Sequence, residues 1–236
     1  MLLLKKLLLV LVISLVSCKQ SSESFHSKTS PFLPLDKAEI LNDSIPWGAF
    51  NTTYDIAIGF PFTFFDKTFD SLHLETTGRI VFDVEHQYFA DAFSEISMQD
   101  AGFNNDISMS PIRYKNQISE NNNVLIIEFE NASFASDTLS RVTFQIKLHE
   151  KNGVFELHMG PNTISNFSKA FQNGPHSGVS KVISYGPTVY EKRVIAYGNA
   201  KNPRVISNPK QENDPKMLTI EHMPVEGSIY SFSTKN

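Results

Sequence analysis

The chain has 236 residues, enough for one or two domains. Hydrophobic residues make up 41% of it and charged residues only 19%, which suits a secreted β protein with a sizeable core better than a helical cytosolic one. The formal net charge of −4 disfavours nucleic acids and anionic lipid surfaces as partners.

The amino-terminal stretch has the organisation of a secretory signal peptide. Two lysines precede an apolar run at residues 7–16, and small Ser17 leads to Cys18. The run is shorter than the roughly 20 residues that span a bilayer. We therefore predict a signal peptide over residues 1–17, whose removal would take the net charge to −6.

The tetrad Leu15-Val16-Ser17-Cys18 resembles the lipobox of bacterial lipoproteins. The resemblance implies cleavage before Cys18, diacylglycerol on its sulfur and an acyl group on its new amino terminus. Because the chain has no other cysteine, it has no intramolecular disulfide, thiolate zinc site or thiol catalysis. Lys19 stands where enteric lipoproteins carry a retention aspartate, which favours the outer membrane. Either face of that membrane, periplasmic or extracellular, stays open.

The segment after the cysteine is rich in serine and ends in prolines. Residues 18–35 are therefore predicted to be the lipidated cysteine and a flexible tether, and residues 36–236 a single domain. Trp47, the only tryptophan, precedes the first clear strand. It is a candidate for stacking on a sugar or partner, and capping the edge of the domain is the alternative.

Alternating apolar and polar residues predict strands from residue 54 onward. The first covers residues 54–65, and its Pro61 indicates an edge strand or a bulge. The clearest hairpin joins residues 142–148 to 155–159 through Asn152-Gly153. Strands that recur about every 8–12 residues predict an all-β fold: a single antiparallel two-sheet β-sandwich, jelly-roll-like, with a minor helix.

Three less regular segments accompany these strands. Residues 84–109 are rich in aromatic and acidic residues, and their part at 91–96 is compatible with a helical turn. Residues 201–216 read as a polar loop, and residues 217–220 are predicted to pair with residues 229–232 as the closing strands. Loops on a rigid scaffold are where such domains place function.

The acids of the irregular segment are the other candidate ligand-binding residues, in particular Asp91 and Asp106. Such acids could bind calcium, or supply a carboxylate pair for glycoside hydrolysis. No calcium-loop spacing is present, and solvated loop acids are the ordinary alternative. The sequence therefore predicts no metal site.

Motifs for catalysis or cofactor binding are not found in the sequence. The seven histidines form no metal-binding spacing, and neither a nucleophile elbow nor a phosphate-binding loop occurs. Alternation predicts that His149 and His158 both point away from the core, near one another. A surface metal or pH-sensitive patch is one interpretation of the pair, and ordinary solvated positions are the other. We expect no enzyme, no catalytic residue and no cofactor.

Several blocks in order resemble a β-sandwich module of secreted proteins in gliding and Por-secretion bacteria. The resemblance implies a fold and an extracytoplasmic setting but no reaction, and this chain lacks the sorting tail and repeats that often accompany the module. The matching blocks are Ile58-Gly59-Phe60 with Phe62, Phe64, Phe65, Phe69 and Ser71; Thr76, Gly78, Ile80 and Phe82; residues 144–150; residues 155–161; and Gly198-Asn199, Pro203, Pro224, Gly227, Tyr230 and Phe232.

These features predict an outer-membrane lipoprotein whose non-enzymatic sandwich binds a protein or glycan partner. Its membrane contact would be the lipid on Cys18, and nucleic acid is not expected as a partner. The alternative is a carbohydrate-binding or glycan-processing component of an outer-membrane nutrient-uptake system.

Overall fold

The computed structural model describes residues 23–42, 47–48, 52–94, 98–171, 174–185, 188–207 and 218–234. The predicted signal peptide and Cys18 lie outside the described residues, so cleavage and lipidation stay predictions. In the described part of the chain, no helix has the length and hydrophobicity needed to cross a bilayer.

The described residues form two antiparallel sheets. Sheet A has the order β1 (Ser24–Thr29), β17 (Ser228–Ser233), β13 (Val154–Asn162), β12 (Asp137–His149), β11 (Val124–Phe134), β10 (Ile112–Gln117) and β2 (Glu39–Ile40), with β7 (Met98–Gln99) beside β11. Sheet B has the order β16 (Arg204–Ser207), β15 (Thr188–Tyr197), β14 (His176–Tyr185), β6 (Tyr88–Ser94), β5 (Arg79–Val81), β4 (Lys67–Glu75) and β3 (Thr53–Phe64). Outside the sheets lie the hairpin of β8 (Phe103–Asn104) and β9 (Ile107–Ser108) and the helix α1 (Phe167–Ala170).

The core lies between the inner faces of the two sheets and is largely aromatic. Phe129 and Phe144 stack across β11 and β12 with ring centroids 4.7 Å apart, while Phe64 packs on Phe82 at 4.5 Å. Successive side chains of a strand point to opposite faces, so the alternating sequence buries one side of each strand. The two open sheets confirm the predicted all-β, two-sheet antiparallel sandwich with a minor helix.

The edge position of Pro61 is confirmed. The β3 strand is the last of sheet B, and its register against β4 shifts between Ala57 and Phe62. Gly59, within that shift, has φ +82°, and a Cβ there would lie 2.7 Å from the Asn116 side-chain nitrogen. Both the conformation and the close approach require glycine at this position.

The predicted flexible tether, residues 18–35, is wrong from residue 24 onward. Strand β1 pairs along its whole length with β17, from Ser24 opposite Ser233 to Thr29 opposite Ser228. The Phe25 ring packs on Phe232 with centroids 5.0 Å apart. A serine-rich composition gave no strand signal, but pairing with the edge of sheet A and the partly buried Phe25 ring order the segment.

Other predicted elements also need correction. Residues 91–94 continue strand β6 instead of forming a helical turn, because Asp91 and Ser94 pair with β14, and residues 95 and 96 of the predicted turn lie outside the described residues. The polar loop begins with strand β16, and its residues 208–216 lie outside the described residues. The closing pair is wrong as well: β17 pairs with β1 and β13, whereas Ile220 makes an isolated bridge to Gly198.

Candidate functional site

Both ends of the described chain meet at one end of the sandwich, called here the terminal end. Ser24 and Ser233 are paired, and the Phe65 amide at the β3–β4 turn donates to Thr234 Oγ1 at 2.9 Å. Lys192 Nζ lies 3.1 Å from the Glu23 carboxylate. The opposite or distal end carries Trp47 and residues 98–110.

A short hairpin at the distal end is the candidate site. It consists of β8, β9 and a two-residue tip, Asn105 and Asp106, with φ values of +51° and +62°. Two consecutive positive φ values are typical of the type I′ turn, for which Asn and Asp are favoured. Ile107 is 68% exposed and Met109 43% exposed. The hairpin therefore presents aliphatic side chains and a polar tip to solvent.

A buried hydrogen-bond network holds this hairpin rigidly. The Asp100 carboxylate accepts from the Gly102 amide at 2.9 Å and from Ser108 Oγ at 2.6 Å. Ser108 Oγ also accepts from the Asn42 side-chain amide at 3.0 Å. The Ser110 hydroxyl accepts from the Ala101 amide at 2.8 Å. Satisfied buried networks of this kind rigidify the segment they hold.

Trp47 is part of that support and not a platform for ligands. Its side chain is 2% exposed, its Nε1 donates to the Ser110 carbonyl at 2.7 Å, and its ring meets Phe129 edge-to-face at 5.9 Å. Its own carbonyl accepts from the Asp100 amide at 2.9 Å. The predicted stacking role is wrong because neither ring face is open to solvent.

The structure does not bring the predicted ligand residues together. Asp91 is buried on the outer face of sheet B, where its carboxylate accepts from Arg79 Nε at 2.7 Å. This carboxylate raises the pKa of the Arg79 guanidinium. Of these two aspartates only Asp106 is exposed, and it lies at the hairpin tip. Among the described residues, no group of three or more His, Cys, Asp or Glu side chains has the geometry to hold a metal ion.

The outer face of sheet A carries a second polar cluster, around Glu156. The Glu156 carboxylate accepts from His149 Nε2 at 3.0 Å and from Ser231 Oγ at 2.7 Å, and Lys28 Nζ lies 3.2 Å away. His149 and His158 do face outward, as predicted, but they are not neighbours. The four-residue turn sets His149 opposite Val154 and His158 opposite Gln145.

This cluster shifts the pKa of Glu156. Burial alone raises the pKa of the carboxyl, but the hydrogen bonds from His149 and Ser231 and the charges of His149 and Lys28 outweigh burial and lower it to about 2. The ordinary value is 4.5. The ionised carboxylate therefore stabilises the fold fully above about pH 4.5, and the contribution disappears as the pH falls toward 2.

Glu156→Gln tests this electrostatic contribution. We expect it to lower the free energy of unfolding at pH 7 by up to about 3 kcal/mol and to flatten its decline between pH 4.5 and pH 2. Urea denaturation across that pH range measures both effects. Glu85→Gln, at an exposed loop position, is the control and should leave the pH profile unchanged. An unaltered profile for Glu156→Gln would show that the cluster contributes no net charge stabilisation.

An open cleft of about 510 Å³ lies beside the β3–β4 turn, at the terminal end. Lys67 Nζ lies 5.3 Å from the Phe69 ring centroid and 5.4 Å from that of Tyr88. The cleft lining also includes the carboxylates of Asp70, Asp83 and Glu85. A cleft lined by apolar rings together with a few polar groups is typical of small-ligand sites.

Comparison with known proteins places the chain in a family. The NIDO-related family matches residues 24–234. The chain belongs to the NIDO-related family. The matched region of this NIDO-related domain begins at β1 and ends just after β17, so it covers both sheets, the hairpin and the cleft. No curated protein and no solved structure matches the chain.

Proposed function

We propose that the chain is an outer-membrane lipoprotein whose sandwich is a non-enzymatic module that binds a protein partner through the β8–β9 hairpin. The observation that carries the proposal is the pairing of exposed Ile107 and Met109 with a rigid, hydrogen-bonded support. A preorganised loop loses little conformational entropy on binding, and exposed aliphatic side chains on such a loop suit a protein surface.

The position of the predicted anchor agrees with this proposal. Glu23 lies five positions after Cys18, and an extended chain over that distance spans at most about 18 Å. With a lipid on Cys18, the terminal end would face the membrane. The hairpin, at the distal end, would then point away from the membrane and toward a partner.

The character of the exposed side chains favours a protein over a glycan. Sugar-binding platforms commonly use open aromatic rings, because ring faces stack on the C–H faces of sugars. At the hairpin the most exposed apolar side chains are Ile107 and Met109. The exposed aromatic residue Tyr185 (52% exposed) is not part of this hairpin. It lies on the β14–β15 hairpin, where its hydroxyl donates to the His86 carbonyl.

Site-specific photocrosslinking tests the proposal. A photoreactive residue replacing Asn105, at the hairpin tip, should give a discrete crosslinked protein species on intact cells. Ile107→Asp should abolish that species, because it places a charge in the apolar contact. Ile118→Asp is the matched control: Ile118 is 65% exposed, but it follows β10 at the terminal end. Equal loss in both variants, or no crosslink from position 105, would contradict the proposal.

The cleft beside the β3–β4 turn favours the alternative, a glycan-binding or glycan-processing component of a nutrient-uptake system. The exposed carboxylates of Asp70 and Glu85 in its lining could accept hydrogen bonds from sugar hydroxyls. Glycan binding that is lost on Asp70→Asn and unaffected by Ile107→Asp would support this alternative.

A further inference from the structure

Residues 30–36, called here the arm, cross the outer face of sheet A from one side to the other. The arm leaves β1, where the Ser30 amide donates to the Gly227 carbonyl at 2.9 Å. Hydrogen bonds join the arm in turn to β13, β12, β11 and β10, and the chain then enters β2 at Glu39. Leu33 is 75% exposed, so part of the arm points to solvent.

A row of polar side chains lies beneath the arm. His158, Gln145, Glu128 and Arg113 occupy paired register positions on four adjacent strands, so they form one line across the sheet. His158, Gln145 and Glu128 are between 1% and 4% exposed, although they lie on the outer face. The row therefore forms the floor of a groove, and the arm occupies that groove.

The row contacts the main chain of the arm. Gln145 Nε2 donates to the Leu33 carbonyl at 2.8 Å and to Glu128 Oε2 at 2.7 Å. The Leu35 amide donates to the same Glu128 oxygen at 2.9 Å, and His158 Nε2 donates to the Ser30 carbonyl at 3.2 Å. Contacts to main-chain groups do not depend on the side chains of the bound segment.

Two side chains anchor the arm, and they are three residues apart. In residues 31–36 only Phe32 and Leu35 are partly buried, while the other four residues, including Pro31 and Pro34, are exposed. A repeat of three is that of an extended polyproline-type segment. The Phe32 ring lies against Gly160. A Cβ atom at position 160 would be only 2.9 Å from Phe32 Cζ. The Phe32 ring also meets the His158 ring edge-on at 5.3 Å.

The polar character of the floor indicates that it can also be exposed to water. The inner faces of the same strands are apolar, with Ile127, Phe144 and Leu157 fully buried. A face that is covered permanently gains little from buried charge, because an apolar filling is often equally or more stable. Glu128 Oε1 accepts no hydrogen bond from the described residues, and Arg113 Nη1 lies 3.6 Å from it. When the arm leaves, water can satisfy every group of the row.

We propose that this groove recognises an extended, proline-containing peptide with hydrophobic anchors three residues apart, and that the arm is its resident intramolecular ligand. A peptide of this class, supplied by a partner, would replace the arm on the row formed by His158, Gln145 and Glu128. The proposal is independent of the hairpin, which lies outside both sheets.

The test measures binding of a fluorescein-labelled peptide, SPFLPLD, which has the sequence of residues 30–36. Fluorescence anisotropy should show at least about tenfold tighter binding to the Phe32→Ala protein than to the unaltered protein, because the weakened arm no longer competes at high effective concentration. Leu33→Ala is the matched control: it alters the exposed side of the arm and should bind like the unaltered protein. Adding Gly160→Ala to Phe32→Ala should abolish binding, since the new methyl group occupies the seat of the peptide's Phe ring.

Amide hydrogen exchange on the unaltered protein gives a second test, which needs no variant to fold. Excess unlabelled peptide should increase exchange at the Leu35 amide, which is protected by Glu128 when the arm is seated. Exchange within the paired strands β12 and β13 should not change. A folded Phe32→Ala protein that binds the peptide no better than the unaltered one, or a Leu35 amide that stays protected at millimolar peptide, would overturn the proposal.

Discussion

Trp47→Ala is expected to lower the free energy of unfolding by about 4 kcal/mol, near the upper range for a large core side chain. The truncation leaves a cavity against Phe129 and removes the donor to the Ser110 carbonyl. Because Ser110 also accepts from the Ala101 amide, the loss should loosen the support of the β8–β9 hairpin. Urea denaturation measures the first effect, and faster exchange at the amides of Ala101 and Gly102 measures the second.

Two further variants separate the causes of this loss. Leu139→Ala, at a position 87% exposed, should change the unfolding free energy by no more than about 0.5 kcal/mol. Trp47→Phe keeps much of the ring volume but removes the N–H, so it should cost less than alanine and still increase exchange in the hairpin. A Trp47→Ala protein as stable as the Leu139→Ala control would mean that the indole does not support the distal end.

The strands and the core could be predicted from the sequence because their signal is local. A period of two in residues 142–148 and 155–159 identifies the inward side chains without knowledge of the partner strand. All the apolar residues of that pattern, from Val142 to Met159, are buried. The same alternation correctly predicted that the side chains of His149 and His158 point away from the core. The relative position of the two histidines depended on turn length, and the turn has four residues instead of two.

The candidate site could not be predicted, because its contacts join residues far apart in the sequence. Asn42 and Ser108, which are 66 positions apart, meet in the buried network. Asp91 looked like a loop acid because nothing near it in the sequence indicates its partner, Arg79. Trp47 has no alternating neighbours that would indicate burial. Only residues 84–109, as an irregular segment rich in Asn and Asp, gave a correct hint of the exposed hairpin.

The sequence blocks 144–150 and 155–161 include residues on the outer face of sheet A as well as core residues. Three of the outer-face residues are Gln145, Glu156 and Gly160. Gln145 binds the arm, Gly160 seats Phe32, and Glu156 binds Lys28 of the preceding strand. In this chain the two blocks therefore support the amino-terminal segment as well as the core. The sequence alone could not distinguish residues that support the arm from residues of the core. The arm itself was predicted to be the proline-containing end of a flexible tether.

Cys18→Ser is expected to abolish both membrane retention and metabolic labelling with palmitate, and to leave uncut precursor. The physical reason is that the predicted anchor consists of several acyl chains on this one residue, which together would make membrane binding stable. Ser21→Ala, just beyond the predicted cleavage site, is the control and should be processed and labelled normally. Fractionation of cells followed by immunoblotting reads the location. The structure adds a second readout: the purified Cys18→Ser domain should retain its urea stability, because β1, the first paired element of the described chain, begins at Ser24. Labelling and retention that persist in Cys18→Ser would rule out lipidation at this cysteine.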